Sequence, residues 1–172
     1  MAREHRLKLP VRELLRSPGS TRSIDLELEA SDLDVDADDL VGPVTVRLGA
    51  ESGVDQITVT GTVTLGWAAP CRRCLTSLQG STEIDVHEVH HDESGLRAMP
   101  DDAFPIEHDV IDLRPAVREL VLLELPPDPV CRPDCAGICP VCGVDRNSAP
   151  CDCETTVRDE RWAVLDELEL DD

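Results

Sequence analysis

The sequence predicts an α+β protein: a largely antiparallel β-sheet, a packed amphipathic helix, and a cysteine-rich, zinc-ribbon-like C-terminal segment. Three observations predict it. Segments rich in Val, Thr and Ile, several of them alternating apolar with polar residues, fill the first half of the chain, as half-buried strands do. One later stretch, VIDLRPAVRELVLLELP, repeats its apolar residues at helical spacing instead. Six of the eight cysteines fall in CRPDCAGICPVCGVDRNSAPCDC, from Cys131 to Cys153, and the other two in CRRCL.

A chain of 172 residues is long enough for one domain with a small appended module. The expected division is a core domain over residues 1–130, carrying the CRRC hairpin tip, followed by a zinc-binding segment over 131–172 that ends in a short helix packed on the core. Hydrophobic residues make up 41%, enough for a real core, yet the only aromatics are Trp67, Phe104 and Trp162. Aliphatic side chains must therefore fill it. The formal net charge of −20 repels phosphate backbones and attracts basic proteins, besides keeping the chain soluble. MAREHRLKLPVRELL has no apolar run behind its charged start, and no apolar stretch reaches membrane-spanning length. The expected location is the cytoplasm, where disulfides are rare, so eight cysteines point to metal.

Taken in order, PVRELLRSPG fits a short helix stopped by Pro18 and Gly19. The basic groups around it, Arg3 to Arg22, read as a solvated face. IDLELEA, from Ile24, has strand alternation. The eight acidic residues between Asp25 and Asp39 lack the spacing and the glycine of a calcium loop. PVTVRLGA, DQITVTGTVTLGWA and STEIDVHEV read as strands; the last two flank PCRRCL, which predicts a long hairpin with the cysteine pair near its tip. HHDESGLRAMPDDAF reads as an exposed loop, and His87, His90 and His91 as bystanders to better-placed thiols. In the helix, Asp112 is the expected cap, Pro115 sits in the first turn, and Leu113, Val117, Leu120 and Val121 mark the buried face. Pro126 and Pro127 end it. RDERWAVLDELEL suggests a terminal helix with Trp162, Leu165, and Leu168 or Ala163 facing inward.

A C-x-x-C turn aims two thiolates at one ion, and Cys71/Cys74 and Cys139/Cys142 both have that spacing. Gly143, after the second pair, can take a positive φ without steric cost. Cys151 and Cys153 share one face of extended chain, and Cys131 and Cys135 make a looser pair. Two zinc ions are the expected cofactors. One assignment gives Cys71, Cys74, Cys131 and Cys135 the first ion and Cys139, Cys142, Cys151 and Cys153 the second. The other joins Cys131, Cys135, Cys139 and Cys142, and pairs Cys71/Cys74 with Cys151/Cys153. Loop-closure entropy favours the first, whose second site closes over a short loop. Four thiolates on zinc carry formal negative charge, so Arg72, Arg73, Arg132 and Arg146 are candidates for supporting the sulfurs, or alternatively for contacting phosphate. Iron suits four thiolates as well.

A closed four-thiolate site leaves no position for water, so hydrolysis is not expected. No phosphate-binding glycine loop and no nucleophile triad is present in the sequence. The expectation is a protein that is not an enzyme and takes no small-molecule substrate. Two competitors stand beside it: a redox protein using Cys71 and Cys74, and a zinc-ribbon RNA-binding module. The flanking strands do not match a thioredoxin-like setting, and the stacking aromatics an RNA binder wants are nearly absent.

The joint occurrence of PCRRCL, IDLRPAVRELVLLELP, CRPDCAGICPVCGVDRN and CDC, between Ile24 and Cys153, resembles the YceD-like family, named for large ribosomal RNA subunit accumulation. The resemblance implies a bacterial and plastid factor needed for normal levels or processing of 23S ribosomal RNA. No enzymatic activity is established for that family, and its gene commonly neighbours that of a small zinc-ribbon ribosomal protein. Some members keep only the C-x-x-C. The acidity of this chain departs from RNA binding and favours a basic ribosomal protein, or a large-subunit assembly particle, as partner, with direct rRNA contact left open.

Overall fold

The computed structural model describes residues 6–92, 103–154 and Arg161. The expected terminal helix around Trp162 and most of the HHDESGLRAMPDDAF stretch lie outside them. Two compact units emerge: residues Met1–Ala69 with Leu78–Pro127, and Pro70–Ser77 with Asp128–Asp172. The Cys71–Cys74 loop thus groups with the cysteine-rich segment.

The first unit is built on β2 (Thr21–Leu28), β3 (Leu40–Ser52), β4 (Gln56–Pro70), β5 (Ser77–His91) and β6 (Phe104–Pro105), hydrogen-bonded in that order as one sheet. β2 runs antiparallel to β3, from Thr21 opposite Glu51 to Leu28 opposite Val44. β3 runs antiparallel to β4, with an irregularity between Val41 and Thr45. β4 and β5 neighbour one another across a loop too short for a crossover, and so form a hairpin. β6 pairs parallel to β5 through His90 and His91. A second, two-stranded sheet pairs β1 (Lys8–Pro10) with β7 (Val110–Asp112). The fold is α+β with a largely antiparallel sheet.

Period-two alternation decides which residues enter the core. Val44, Val46, Leu48 and Ala50 on β3 are buried, and so are Ile57, Val59, Val63 and Leu65 on β4. Ile84 and Val86 join from β5, with Leu28, Leu33, Leu9 and Val11. As the composition requires, this cluster of fully buried side chains is aliphatic; Trp67 packs against it only partly buried, over Gly80, where a Cβ would come within 2.5 Å of the indole.

The single-turn α1 (Arg12–Leu15) buries Leu14, and Gly19 follows at φ +85°. α2 (Arg114–Glu124) carries Pro115 in its first turn and buries Val117 and Val121, with Leu113 buried just before it and Leu120 partly buried. The cap differs in detail from expectation. Asp112 ends β7 and Leu113 is the capping residue; the Asp112 carboxylate still accepts the Arg114 amide at 3.0 Å. A second correction concerns the histidines. His90 and His91 are not in an exposed loop: they extend β5, pair with β6 and are buried, whereas His87 on the same strand is exposed. Among the described residues, no helix is long and apolar enough to cross a membrane.

Candidate metal centres

All eight cysteines are free thiols, and they converge on two places in the second unit. Cys71, Cys74, Cys131 and Cys135 form one group, and Cys139, Cys142, Cys151 and Cys153 the other; within each, the sulfurs lie within 4.8 Å of one another. These are the groupings of the first sequence assignment.

The two C-x-x-C turns are built alike. The Leu75 amide donates to the Cys71 carbonyl at 2.9 Å, and the Gly143 amide to the Cys139 carbonyl at 2.8 Å. Both turns close with a left-handed residue, Leu75 at φ 62° and Gly143 at φ 74°. Glycine adopts this conformation freely; leucine pays roughly 1–2 kcal/mol for it. The curl turns backbone amides toward the first sulfur of each pair.

The loop after β4 is tied to the segment that supplies Cys131 and Cys135. The Arg72 amide donates to the Pro129 carbonyl at 2.9 Å, and the Ile138 amide to the Arg73 carbonyl at 2.9 Å. Arg73 Nη1 donates to the carbonyls of Pro133 at 2.9 Å and Cys135 at 3.2 Å. Gly137, at φ 72°, has to be glycine: a Cβ there would meet the Arg73 carbonyl oxygen at 2.9 Å. In the other group, the Cys139 amide donates to Val144, Ile138 bridges Asp145, and the Arg146 amide donates to Gly137. This short hairpin holds the Cys139–Cys142 turn.

The spacing suits a metal ion. Four sulfurs about 2.3 Å from a tetrahedral zinc lie about 3.8 Å apart. Cys74 and Cys131 are 3.7 Å apart, and Cys71 and Cys135 are 4.0 Å apart. Hydrogen bonds reach the sulfurs from several sides: the Cys131 amide donates to Cys71 Sγ at 3.4 Å and Asn147 Nδ2 to Cys135 Sγ at 3.4 Å, while the Cys74 thiol donates to Thr76 Oγ1 at 3.3 Å.

Crowding splits the thiols by acidity. The Cys71 thiol is lowered to about 6, first by the Cys74 amide and further by those of Arg73 and Cys131, against burial. Cys139 is lowered to about 6 by the amides of Cys142 and Val141. Cys135 is pushed up by burial but lowered overall by the Asn147 amide group, the Gly137 amide and its neighbouring thiols. The partners move the other way. Cys131 is pushed up to about 12, chiefly by Cys135, and Cys153 to about 12, chiefly by Cys142. Cys151 accepts the Cys153 amide, which lowers it, yet is raised overall by Cys139, burial and Cys142. Without a cation each cluster keeps some of its protons. A divalent ion would stabilise all four thiolates and expel them.

The arginines occupy varied places. Arg72 pairs with Asp128 at 2.9 Å, and Arg73 serves the loop carbonyls. Arg132 donates to Asn147 Oδ1 at 2.7 Å, so it acts on Cys135 through the Asn147 side chain. Arg146 is exposed, with its amide in the Gly137 hairpin. The sequence reading missed Asn147 itself. Its amide and side chain both donate to Asp145 Oδ1, at 2.9 and 2.7 Å, and it receives the Ala136 amide at 2.8 Å. The signal was present as D-x-N, an Asx turn, between C-x-x-C and C-x-C.

The family model described as large ribosomal RNA subunit accumulation protein YceD matches residues 57–169. The chain belongs to the YceD family. An uncharacterized protein of Mycobacterium tuberculosis strain H37Rv is 36% identical over 124 residues, 70% of this chain and 59% of its own length. Bacillus subtilis YlbN, also uncharacterized, is 27% identical over 168 residues, 94% of this chain and 96% of its own. The chloroplastic large ribosomal RNA subunit accumulation protein YCED homolog 1 of Arabidopsis thaliana is 35% identical over 65 residues, 38% of this chain and 20% of that one. The chain thus spans about three-fifths of the length of the mycobacterial relatives it matches. No solved structure matches it.

Proposed function

We propose that the chain is a non-catalytic, cytoplasmic factor in biogenesis of the large ribosomal subunit, supporting the accumulation or processing of 23S ribosomal RNA. Membership of the YceD family is the observation that carries this reading. A net charge of −20 supports a basic ribosomal protein, free or within an assembly particle, as the partner, in preference to bare rRNA. The pairing of Arg72 with Asp128 further weakens the case for a phosphate contact there.

In this reading two zinc ions are structural. One is held by Cys71, Cys74, Cys131 and Cys135, the other by Cys139, Cys142, Cys151 and Cys153. Four-thiolate coordination is closed to water, so the ions contribute folding energy and no hydrolytic chemistry. Along the chain, residues 1–130 serve as the core that contributes the Cys71–Cys74 loop, and residues 131–172 as the metal-binding segment.

A redox reading draws on the low Cys71 thiol. Against it, Cys71 is 0% exposed, whereas a reactive cysteine must be reached by its substrate. Depletion followed by rRNA profiling separates the readings. Loss of mature 23S species supports the ribosomal role; an isolated redox phenotype with normal 23S rRNA refutes it. Recovery of neither a ribosomal protein nor a pre-ribosomal particle in low-salt pulldowns would refute the partner.

A further inference from the structure

One cavity lies within the first unit, and no cysteine lines it. It has a volume of about 540 Å³ and lies where β7, the β5 end, β6 and α2 meet. That size accommodates a few side chains. Its apolar lining includes Phe104 and Ile111, and its acidic lining Glu88, Glu107 and Glu119. Lys8 also lines it but sits 3.9 Å from the Asp112 carboxylate, so its charge is offset.

Phe104 is unusual in this molecule. It is the only phenylalanine of the chain, and it is 53% exposed while aliphatic residues fill the core. Its ring is tilted against the buried His90 imidazole, with centroids 5.7 Å apart, which holds it in place. His90 in turn lies 3.2 Å from the Glu88 carboxylate. An exposed aromatic held beside carboxylates is a receptor for a cation with an apolar stem: the ring face attracts the charge and the carboxylates bind it. Arginine has that form, and its aliphatic portion suits the Ile111 side of the lining. Phosphates are excluded by the same carboxylates.

The geometry points to this cavity as the docking site for a short arginine-bearing peptide segment of a protein partner, with Phe104 as the aromatic anchor and Glu88 and Glu119 as the anionic contacts. The inference rests on the reading that the partner is a basic protein, and adds where that protein is gripped.

The test is fluorescence anisotropy of the full-length, zinc-loaded protein with a labelled peptide of arginine, glycine and leucine. Phe104→Ala is expected to weaken binding roughly tenfold. Glu119→Gln is expected to weaken it roughly threefold. Glu51→Gln, an exposed acid on β3 away from the cavity, should leave it unchanged. Equal weakening by Glu119→Gln and Glu51→Gln, with none by Phe104→Ala, would make binding a matter of net charge and overturn the proposal. So would a polyamine probe that binds as tightly as the peptide and shows the same Phe104 dependence, since the site would then take small cations. The variants are also placed in a deletion strain and 23S rRNA is measured. Peptide binding lost in Phe104→Ala, with normal 23S rRNA in the deletion strain itself, upholds the docking site and defeats the ribosomal reading. Peptide binding unaffected by Phe104→Ala, in a strain whose deletion depletes 23S rRNA, does the reverse.

Discussion

The two units are held together by different physics. In the first, β-branched and leucine side chains from three long strands and a helix bury one another, and area removed from water supplies the stability. In the second, the buried apolar residues among those described are Cys71, Cys74, Cys135 and Cys139. A segment with sulfur in place of an aliphatic core depends on whatever binds the sulfur. One chain thus pairs a portion built on aliphatic burial with a portion whose buried side chains are metal-ligand types.

Removing metal should expose that contrast most strongly. Structural zinc in small modules is worth about 10 kcal/mol or more. A strong chelator is therefore expected to abolish amide protection in residues 128–154 while β3 and β4 keep theirs, as hydrogen exchange would record. Equal loss in both units would erase the distinction. Single ligand changes come next: Cys135→Ser and Cys139→Ser should each reduce bound zinc from two ions to one, read by elemental analysis. Retention of both ions by either variant would break the grouping.

Core truncation probes the other unit. Ile57 is fully buried, so Ile57→Ala should cost about 3 kcal/mol in denaturant unfolding, with both zinc ions retained. Acidification acts on the metal side. Cys71 and Cys139 ionise near 6 in the fold against 9.0 for a free thiol. Their contribution is complete above pH 9 and is lost as pH falls through about 6, so metal should be released on acidification, as a chromophoric chelator would follow. The smallest effect is expected at the second turn. Gly143→Ala has open space for its methyl group but a positive φ, and should weaken the second site by about 1 kcal/mol in competitive metal titration.

Much of the arrangement was legible in the sequence, for reasons particular to each element. Val, Thr and Ile alternation marked β3 and β4, because a strand with one buried face repeats every second residue. Val117 and Val121 were readable on α2 from helical spacing. The sulfur groupings followed from loop closure, since Cys139 to Cys153 is one short stretch. Tertiary pairing was less visible. His90 and His91 read as loop because the chemistry of HH beside Asp and Ser is polar; they are buried where β6 pairs with β5, a contact that local sequence does not announce. Asn147 escaped notice because one hydrogen bond to a sulfur leaves no periodic trace. The cavity beside Phe104 depends on four elements meeting, which no local pattern announces.

The separation of the ligands along the chain has a consequence for synthesis. Cys71 and Cys135 stand 64 positions apart. At translation rates of roughly 5–20 residues per second, the Cys71–Cys74 loop leaves the ribosome several seconds before its distant partners. Throughout that interval a nascent chain carries a two-sulfur half-site, open to any soft ion or thiol-reactive molecule nearby. The later cluster has no such waiting period, because its members emerge almost together.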